Sequence, residues 1–348
     1  MEPEIHVSRR GASGHVLLDR PAALNAITLA MVRAIARALD EWEHDPAVKC
    51  VVVEAAGDRA FSAGGDIRQL YEQGRARDHA AQLAFWREEY ILNCRIRAYP
   101  KPYVALVDGI VMGGGVGVSL HGSHRIAGDR LNFAMPEVGI GFFPDVGATY
   151  ILPRLPGGTG TYLALTGARI KTGDAVSLGL LDAYVPSGEI AKIAPALAES
   201  GDVEGLLARF RQTAPASPLK EHRALIDRCF AAPTVEAILE RLDADGSDFA
   251  QATAKTMRGK SPTSLGIALR QMQVGGSLDM DAAMRTEFRI VSRVCRGHDF
   301  LEGVRATIID KDMIPRWTPA AIDAVTQRDI DAYFAPLGDD ELMPARSA

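Results

Sequence analysis

Two acids stand in the stretch MPEVGIGFFPDVG, residues 135–147: Glu137 and Asp145. Their neighbours are apolar or glycine. Acids occupy such company when they are paired, hydrogen-bonded or used. Eight positions separate them, across a bend at Gly139, Gly141 and Pro144. A bend of that kind can bring both carboxyls to one cavity wall. Two acids in a poorly hydrated site push their pKa values apart, so that one acts as base while the other keeps a proton. The plainer reading is that Asp145 caps the helix after it and Glu137 pairs with an arginine.

Two glycine turns precede predicted helices: Ser62-Ala63-Gly64-Gly65-Asp66 and Met112-Gly113-Gly114-Gly115. At a helix start the first N–H groups lack helical partners and point outward, with the helix dipole behind them. Glycine lets a ligand come close. Two such N–H groups facing one point stabilise an oxyanion. Either turn alone is better explained by close packing; together with the two acids the balance reverses toward chemistry.

Other motifs fail. No serine has glycines two residues to each side, so a hydrolase nucleophile elbow is absent. Gly259-Lys260-Ser261 ends like a phosphate loop, but position 254 is alanine and no strand precedes it. Gly113, Gly114, Gly115 and Gly117 do not make GxGxxG, because position 118 is valine. His121 and His124 have ligand-like spacing without an HExxH motif, and read as surface or capping histidines; no metal is expected.

The elements that must carry these residues alternate up to about residue 185. HVLLD (15–19), CVVVEAA (50–56), PYVALVDG (102–109), HRIAG, LNFAMP and DAYVP (182–186) read as strands. Thr28 caps a helix whose Leu29, Val32, Ala36 and Leu39 share a face, and Asp145 heads a helix over DVGATYILPRL. The alternation predicts an α/β fold with layered sheets. From about 188 the pattern is helical, so the expected division is an α/β core over 1–187 and a helical region over 188–348. No internal repeat shows.

Composition bounds the partners. The chain has 348 residues and a formal net charge of -5, which argues against general nucleic-acid binding. Cys50, Cys94, Cys229 and Cys295 are widely spaced, which fits a reducing compartment and no disulfide framework. No secretory signal or membrane span is expected, and the reading is a cytoplasmic protein, or a matrix protein if eukaryotic.

AFSAGGDI, VDGIVMGGGVGVSLHG and FAMPEVGIGFFPDVGATYILPRLPG resemble the crotonase (enoyl-CoA hydratase/isomerase) superfamily. WREEYILN, KSPTSL and RGHDFLEGVRATIIDKDMIPRW bring the likeness closest to its 3-hydroxyisobutyryl-CoA hydrolase branch. The resemblance implies a spiral of ββα units and an acyl-CoA substrate. It implies that the amides of Gly65 and Gly114 polarise the thioester carbonyl, and that Glu137 matches one of two hydratase glutamates. The other falls on Gly117, which holds no water as a base, so ordinary hydratase chemistry is not expected. Asp145 stands where hydratases commonly have glycine. Glu89, Glu137 and Asp145 are implied to line the substrate site, with Ala63 and Asp66 among the substrate-binding positions. The adenine end is placed near Ala22, Ala23, Leu24 and Ile67, and the phosphate cations are sought among Arg20, Lys255, Arg258 and Lys260. The implied reaction is thioester hydrolysis in valine breakdown, without a cofactor beyond the coenzyme A of the substrate. A homo-oligomer (trimer or hexamer) is common in the superfamily. A hydratase or isomerase with displaced acids, and a non-catalytic acyl-CoA binder, remain as alternatives.

Overall fold

The unbroken apolar run at residues 50–53 becomes β3 (Cys50–Ala55), a central strand whose first four residues are fully buried. Its two faces serve two cores. Val51 and Val53 point into the main core, while Cys50 and Val52 face a second cluster with Ile193, Leu197, Val203 and Leu207. Successive side chains of a strand alternate faces, so a strand covered on both sides must be apolar at every position.

The computed structural model describes residues 4–344. Around β3 lies a six-stranded sheet in the order β1-β2-β3-β5-β7-β9. It comprises β1 (Ile5–Arg10), β2 (Ser13–Leu18), β5 (Tyr103–Val107), β7 (His124–Ala127) and β9 (Ala183–Tyr184). β1 and β2 are antiparallel; every other neighbour pair is parallel. A second, parallel sheet has the order β4-β6-β8, from β4 (Ala60–Ser62), β6 (Ile110–Met112) and β8 (Asn132–Ala134). Each large-sheet strand β3, β5 and β7 is thus followed at once by a strand of the small sheet. The chain winds through the two sheets as a spiral of ββα-type units, in line with the expected α/β class. The repeat is one of topology: the three passages share no sequence period.

Helices follow the first two small-sheet strands: α2 (Ile67–Arg75) and α3 (His79–Arg97) after β4, and the four-residue α4 (Gly114–Gly117) after β6. α1 (Leu29–His44) is capped by the Thr28 hydroxyl, which accepts from the Met31 amide at 3.3 Å. Its buried face is Met31, Val32, Ile35, Ala38, Leu39 and Trp42; Leu29 and Ala36, expected on that face, lie at its edge. Beyond residue 187 helices dominate. Ile193–Ser200 and Val203–Phe210 cover the outer face of the large sheet. Met280–Val294 packs back against α3. No helix of the described residues is long and apolar enough to cross a membrane. The four cysteines are buried and unpaired.

Candidate active site

The two glycine turns meet. β4 and β6 are neighbours in the small sheet, so the turns at their C-terminal ends lie side by side. A Cβ placed on Gly114 would sit 3.2 Å from the Gly65 nitrogen, and one on Gly64 would sit 3.9 Å from the Gly114 nitrogen. Gly64 has φ +117° and Gly113 φ +44°, conformations open to glycine and costly to other residues. Among the described residues, neither the Gly65 nor the Gly114 N–H donates to a protein acceptor. Both turns line one cavity of about 470 Å³.

Three acids enter that cavity from three elements. Glu89 comes from the middle of α3, and its Oε1 would be 2.6 Å from a Cβ on Gly114. Glu137 opens a 3₁₀ turn, Glu137–Ile140, closed by Gly141 at φ +68°. Its Oε1 lies 3.5 Å from the Cβ position of Gly113. Asp145 follows on the next loop and accepts from the Tyr90 hydroxyl at 2.8 Å. The bend therefore does bring Glu137 and Asp145 to one cavity. The capping reading of Asp145 is corrected: residue Gly147 caps the short helix Ala148–Ile151, and the Asp145 side chain points to Tyr90 instead.

A fourth acid, Glu287, lies behind them, fully buried in the helix Met280–Val294. Its Oε2 accepts from the Gly147 amide at 2.8 Å and its Oε1 from the Thr149 amide at 2.9 Å. Sequence reading passed over it. The available signal was a lone acid on the apolar face formed by Met280, Ala283, Met284, Phe288 and Val291.

None of the four has a cation facing it among the described residues. Burial, then the charge of Asp145, holds the Glu137 carboxyl well above the usual range. Burial, then the charges of Asp145 and Glu287, does the same to Glu89. Burial pushes Asp145 up to about 7 against the pull of the Tyr90 hydrogen bond. Burial and Asp145 push Glu287 up to about 8, opposed by its backbone donors. Glu89 Oε1 and Glu137 Oε2 are buried without a hydrogen-bond partner among the described residues, which leaves both able to accept from a bound molecule.

Position 117 explains itself. A Cβ there would be 2.7 Å from Asn93 Nδ2 and 3.1 Å from Val146 Cβ. The space a side chain would need is filled from α3.

The rest of the cavity is apolar on one side and cationic at one edge. Phe85, Trp86, Phe142, Ile67 and Leu70 form the apolar wall, with Trp86 stacked on Phe142 at 5.5 Å between centroids. Lys260 and Arg169 also line it, and neither forms an ion pair among the described residues. Burial pulls the Lys260 ammonium below its ordinary value. Arg169 was missed because a single arginine in a loop carries no pattern.

Several expected positions lie elsewhere. Ala63 and Ile67 line the cavity, but Ala22, Ala23 and Leu24 do not; they belong to an outer 3₁₀ turn joined to the site where the Ala63 amide donates to Leu24 O at 2.9 Å. Asp66 caps α2 and pairs with Arg20 at 3.1 Å, and Arg20 also pairs with Glu4, so both are occupied in a shallow groove outside the cavity. Arg258 pairs with Asp243, and Lys255 stands exposed outside the cavity lining. His121 is buried rather than superficial, with Nε2 2.7 Å from Val146 O, and His124 faces Glu204. Among the described residues no three potential ligands are grouped to hold a metal ion.

Comparison with known proteins agrees with this architecture. Residues 13–334 match the family model described as Enoyl-CoA hydratase/isomerase. The chain is 45% identical, over 97% of its length and 90% of the relative's, to the mitochondrial 3-hydroxyisobutyryl-CoA hydrolase of Mus musculus. It is 42% identical, with the same coverage, to that of Homo sapiens. A solved structure titled a carnitinyl-CoA dehydratase, from Mycobacterium thermoresistibile, superposes with TM-score 0.94 at 41% identity, covering 99% of both chains. One titled an enoyl-CoA hydratase, from Rhodobacter sphaeroides, gives TM-score 0.93 at 42% identity, covering 98% of this chain and 100% of that one.

Proposed function

We propose, from the premise that this chain belongs to the enoyl-CoA hydratase/isomerase family, that it hydrolyses an acyl-CoA thioester, with 3-hydroxyisobutyryl-CoA as the substrate. The observation that carries the reading is the meeting of two unengaged amides, Gly65 and Gly114, with the unpartnered Glu137 carboxyl in one cavity.

The thioester carbonyl oxygen sits between the two amides. When the carbonyl carbon becomes tetrahedral, its oxygen gains negative charge and both N–H bonds strengthen. Losing one donor of that type typically costs about 10²–10³ in rate. Glu137 takes the proton of the attacking water, or attacks the carbonyl itself to give an anhydride that water then opens. The C–S bond breaks, and a protonated carboxyl returns the proton to the leaving thiolate. Asp145 is suited to that exchange, because a carboxyl titrating near neutrality is found in either state at working pH. Glu89, beside Gly114, holds the 3-hydroxyl of the acyl group. Lys260 and Arg169 stand where an anionic portion of the coenzyme enters. The chemistry uses carboxyls, amides and water, and calls for no cofactor.

A hydratase remains the second reading, favoured by the titles of the two solved structures at 41% and 42% identity. Its second acid would have to be Glu89, because position 117 has no room for a side chain. One experiment separates the readings. Purified protein is given 3-hydroxyisobutyryl-CoA, 3-hydroxypropionyl-CoA and a 2-enoyl-CoA. Free thiol release from the first two is expected. Loss of enoyl absorbance without thiol overturns the hydrolase assignment. The methyl group separating the first two substrates is worth about 10–200-fold discrimination.

A further inference from the structure

Asp145 sits on a loop that the backbone alone would not favour. Val146 has φ +51° and Gly147 φ +90°, two consecutive left-handed residues, the first β-branched. The loop is held by three side chains from three elements. His121 Nε2 meets Val146 O at 2.7 Å. Gln271 Nε2 donates to Pro144 O at 2.8 Å and to Thr149 Oγ1 at 2.7 Å. Glu287 takes the amides of Gly147 and Thr149, one on each oxygen. The first two supports are neutral groups. Glu287 is an acid buried beside other acids, at a place where glutamine would cost less to bury.

We infer that Glu287 is a positioning residue for Asp145: it clamps the loop 144–149 through two backbone amides and competes with Asp145 for the negative charge of the site. This rests on the hydrolase reading above. The clamp needs two acceptor oxygens. Both of its oxygens accept, so both amides are satisfied; an amide side chain would turn an NH₂ toward one N–H and leave that donor buried and unmet. The competition follows from what surrounds it. From α3, Glu89, Tyr90 and Cys94 face it; from the other side, Glu137 and Asp145 do. All are acids, so charge on any one discourages charge on the rest. Removing Glu287 lets Glu137 and Glu89 ionise more readily.

The test is Glu287→Gln beside Glu287→Asp and Gln271→Leu, each read as kcat, KM and the pH dependence of thiol release. The acid limb for Glu287→Gln is expected to move down by about one pH unit, with kcat reduced tenfold or more and KM within threefold. Glu287→Asp keeps the charge and shortens the clamp: kcat falls about tenfold and the acid limb stays within 0.3 units or so. Gln271→Leu disturbs the loop without touching charge and leaves the limb in place. An infrared titration of the buried carboxyl band, without substrate, reads the same downward shift in Glu287→Gln. Failure of the hydrolase reading appears separately, as a parent protein that releases no thiol while this titration still shifts. An unmoved limb and band in folded Glu287→Gln overturns the inference. Should that variant not fold, Glu287→Asp decides: kcat within twofold of the parent overturns it.

Discussion

The cavity floor and the cavity rim use the same residue types to opposite effect. At the rim, the segment Arg305–Ile309 supplies Thr307 and Ile308 to the cavity wall. The Arg305 guanidinium there binds Glu302 on both oxygens, at 2.8 and 2.9 Å, and reaches Asp310 at 2.7 Å and Asp312 at 2.6 Å. That hydrogen bonding holds Glu302 down at about 2 and lowers Asp312. On the floor, Glu89, Glu137 and Asp145, with Glu287 behind them, face no cation among the described residues, and every one is raised. Three acids around one arginine in water make a scaffold. Three buried acids in a cavity with a fourth behind them hold protons instead. The difference is the presence of a guanidinium and of solvent, not the carboxyls themselves.

The largest effect expected is at the floor. Glu137→Gln should cut thiol release by about 10²–10⁴, the range for losing a positioned proton-transfer group, while the affinity for the CoA ester changes less than roughly tenfold. Turnover near the parent value in a folded variant, measured at saturating substrate, would remove Glu137 from the chemistry.

Asp145→Asn should lower kcat by at least about tenfold and move the acid limb of the rate profile downward, since one like charge beside Glu137 is gone. It should also stabilise the protein at alkaline pH. The sign follows from the raised value: with a folded pKa of about 7 against an ordinary 3.8, protonated Asp145 is the form that suits the fold. Stability is lost as pH climbs from the unfolded value through the folded one, and asparagine does not incur that loss. Calorimetry at pH 8 should show a melting temperature higher by roughly 1–4 °C, and at pH 4 little difference. A lower melting point at both pH values would mean that the Tyr90 contact outweighs desolvation.

At the cationic edge, Lys260→Met and Arg169→Ala should each raise KM at low salt by about three- to tenfold and leave kcat nearly unchanged. Arg258→Ala serves as the comparison, since its partner is Asp243 outside the cavity, and no kinetic change is expected. Equal effects from all three would point to the general field of the protein.

The smallest effect expected is at the rim. Arg305→Ala should change kcat by less than about threefold and lower the melting temperature by about a degree or two, because exposed ion pairs are worth about 0–1 kcal/mol each. That loss should shrink at high salt. A collapse of kcat comparable to Glu137→Gln would erase the contrast between rim and floor.

The residue pattern by itself determined the alternation of strands and helices, the two-sided burial of β3, the Thr28 cap, and the pairing of two glycine turns with two acids. Each of these rests on neighbours along the chain: period, cap chemistry, or a glycine before a helix. It did not determine that the turns converge, because β4 and β6 become neighbours only through a spiral that brings in residues some fifty positions apart. Nor did it reveal Glu287, 140 positions from Gly147, or the Asn93 amide filling the space beside Gly117. The assignment of Arg258 rested on sequence proximity to Lys260, whereas the helix Asp248–Arg258 ends between them and the two side chains meet different surroundings, one Asp243 and one the cavity. The acids' identity was local information. Their raised proton affinity is a property of the enclosure, since desolvation and the mutual repulsion of four carboxyls arise only once distant segments have excluded water around them.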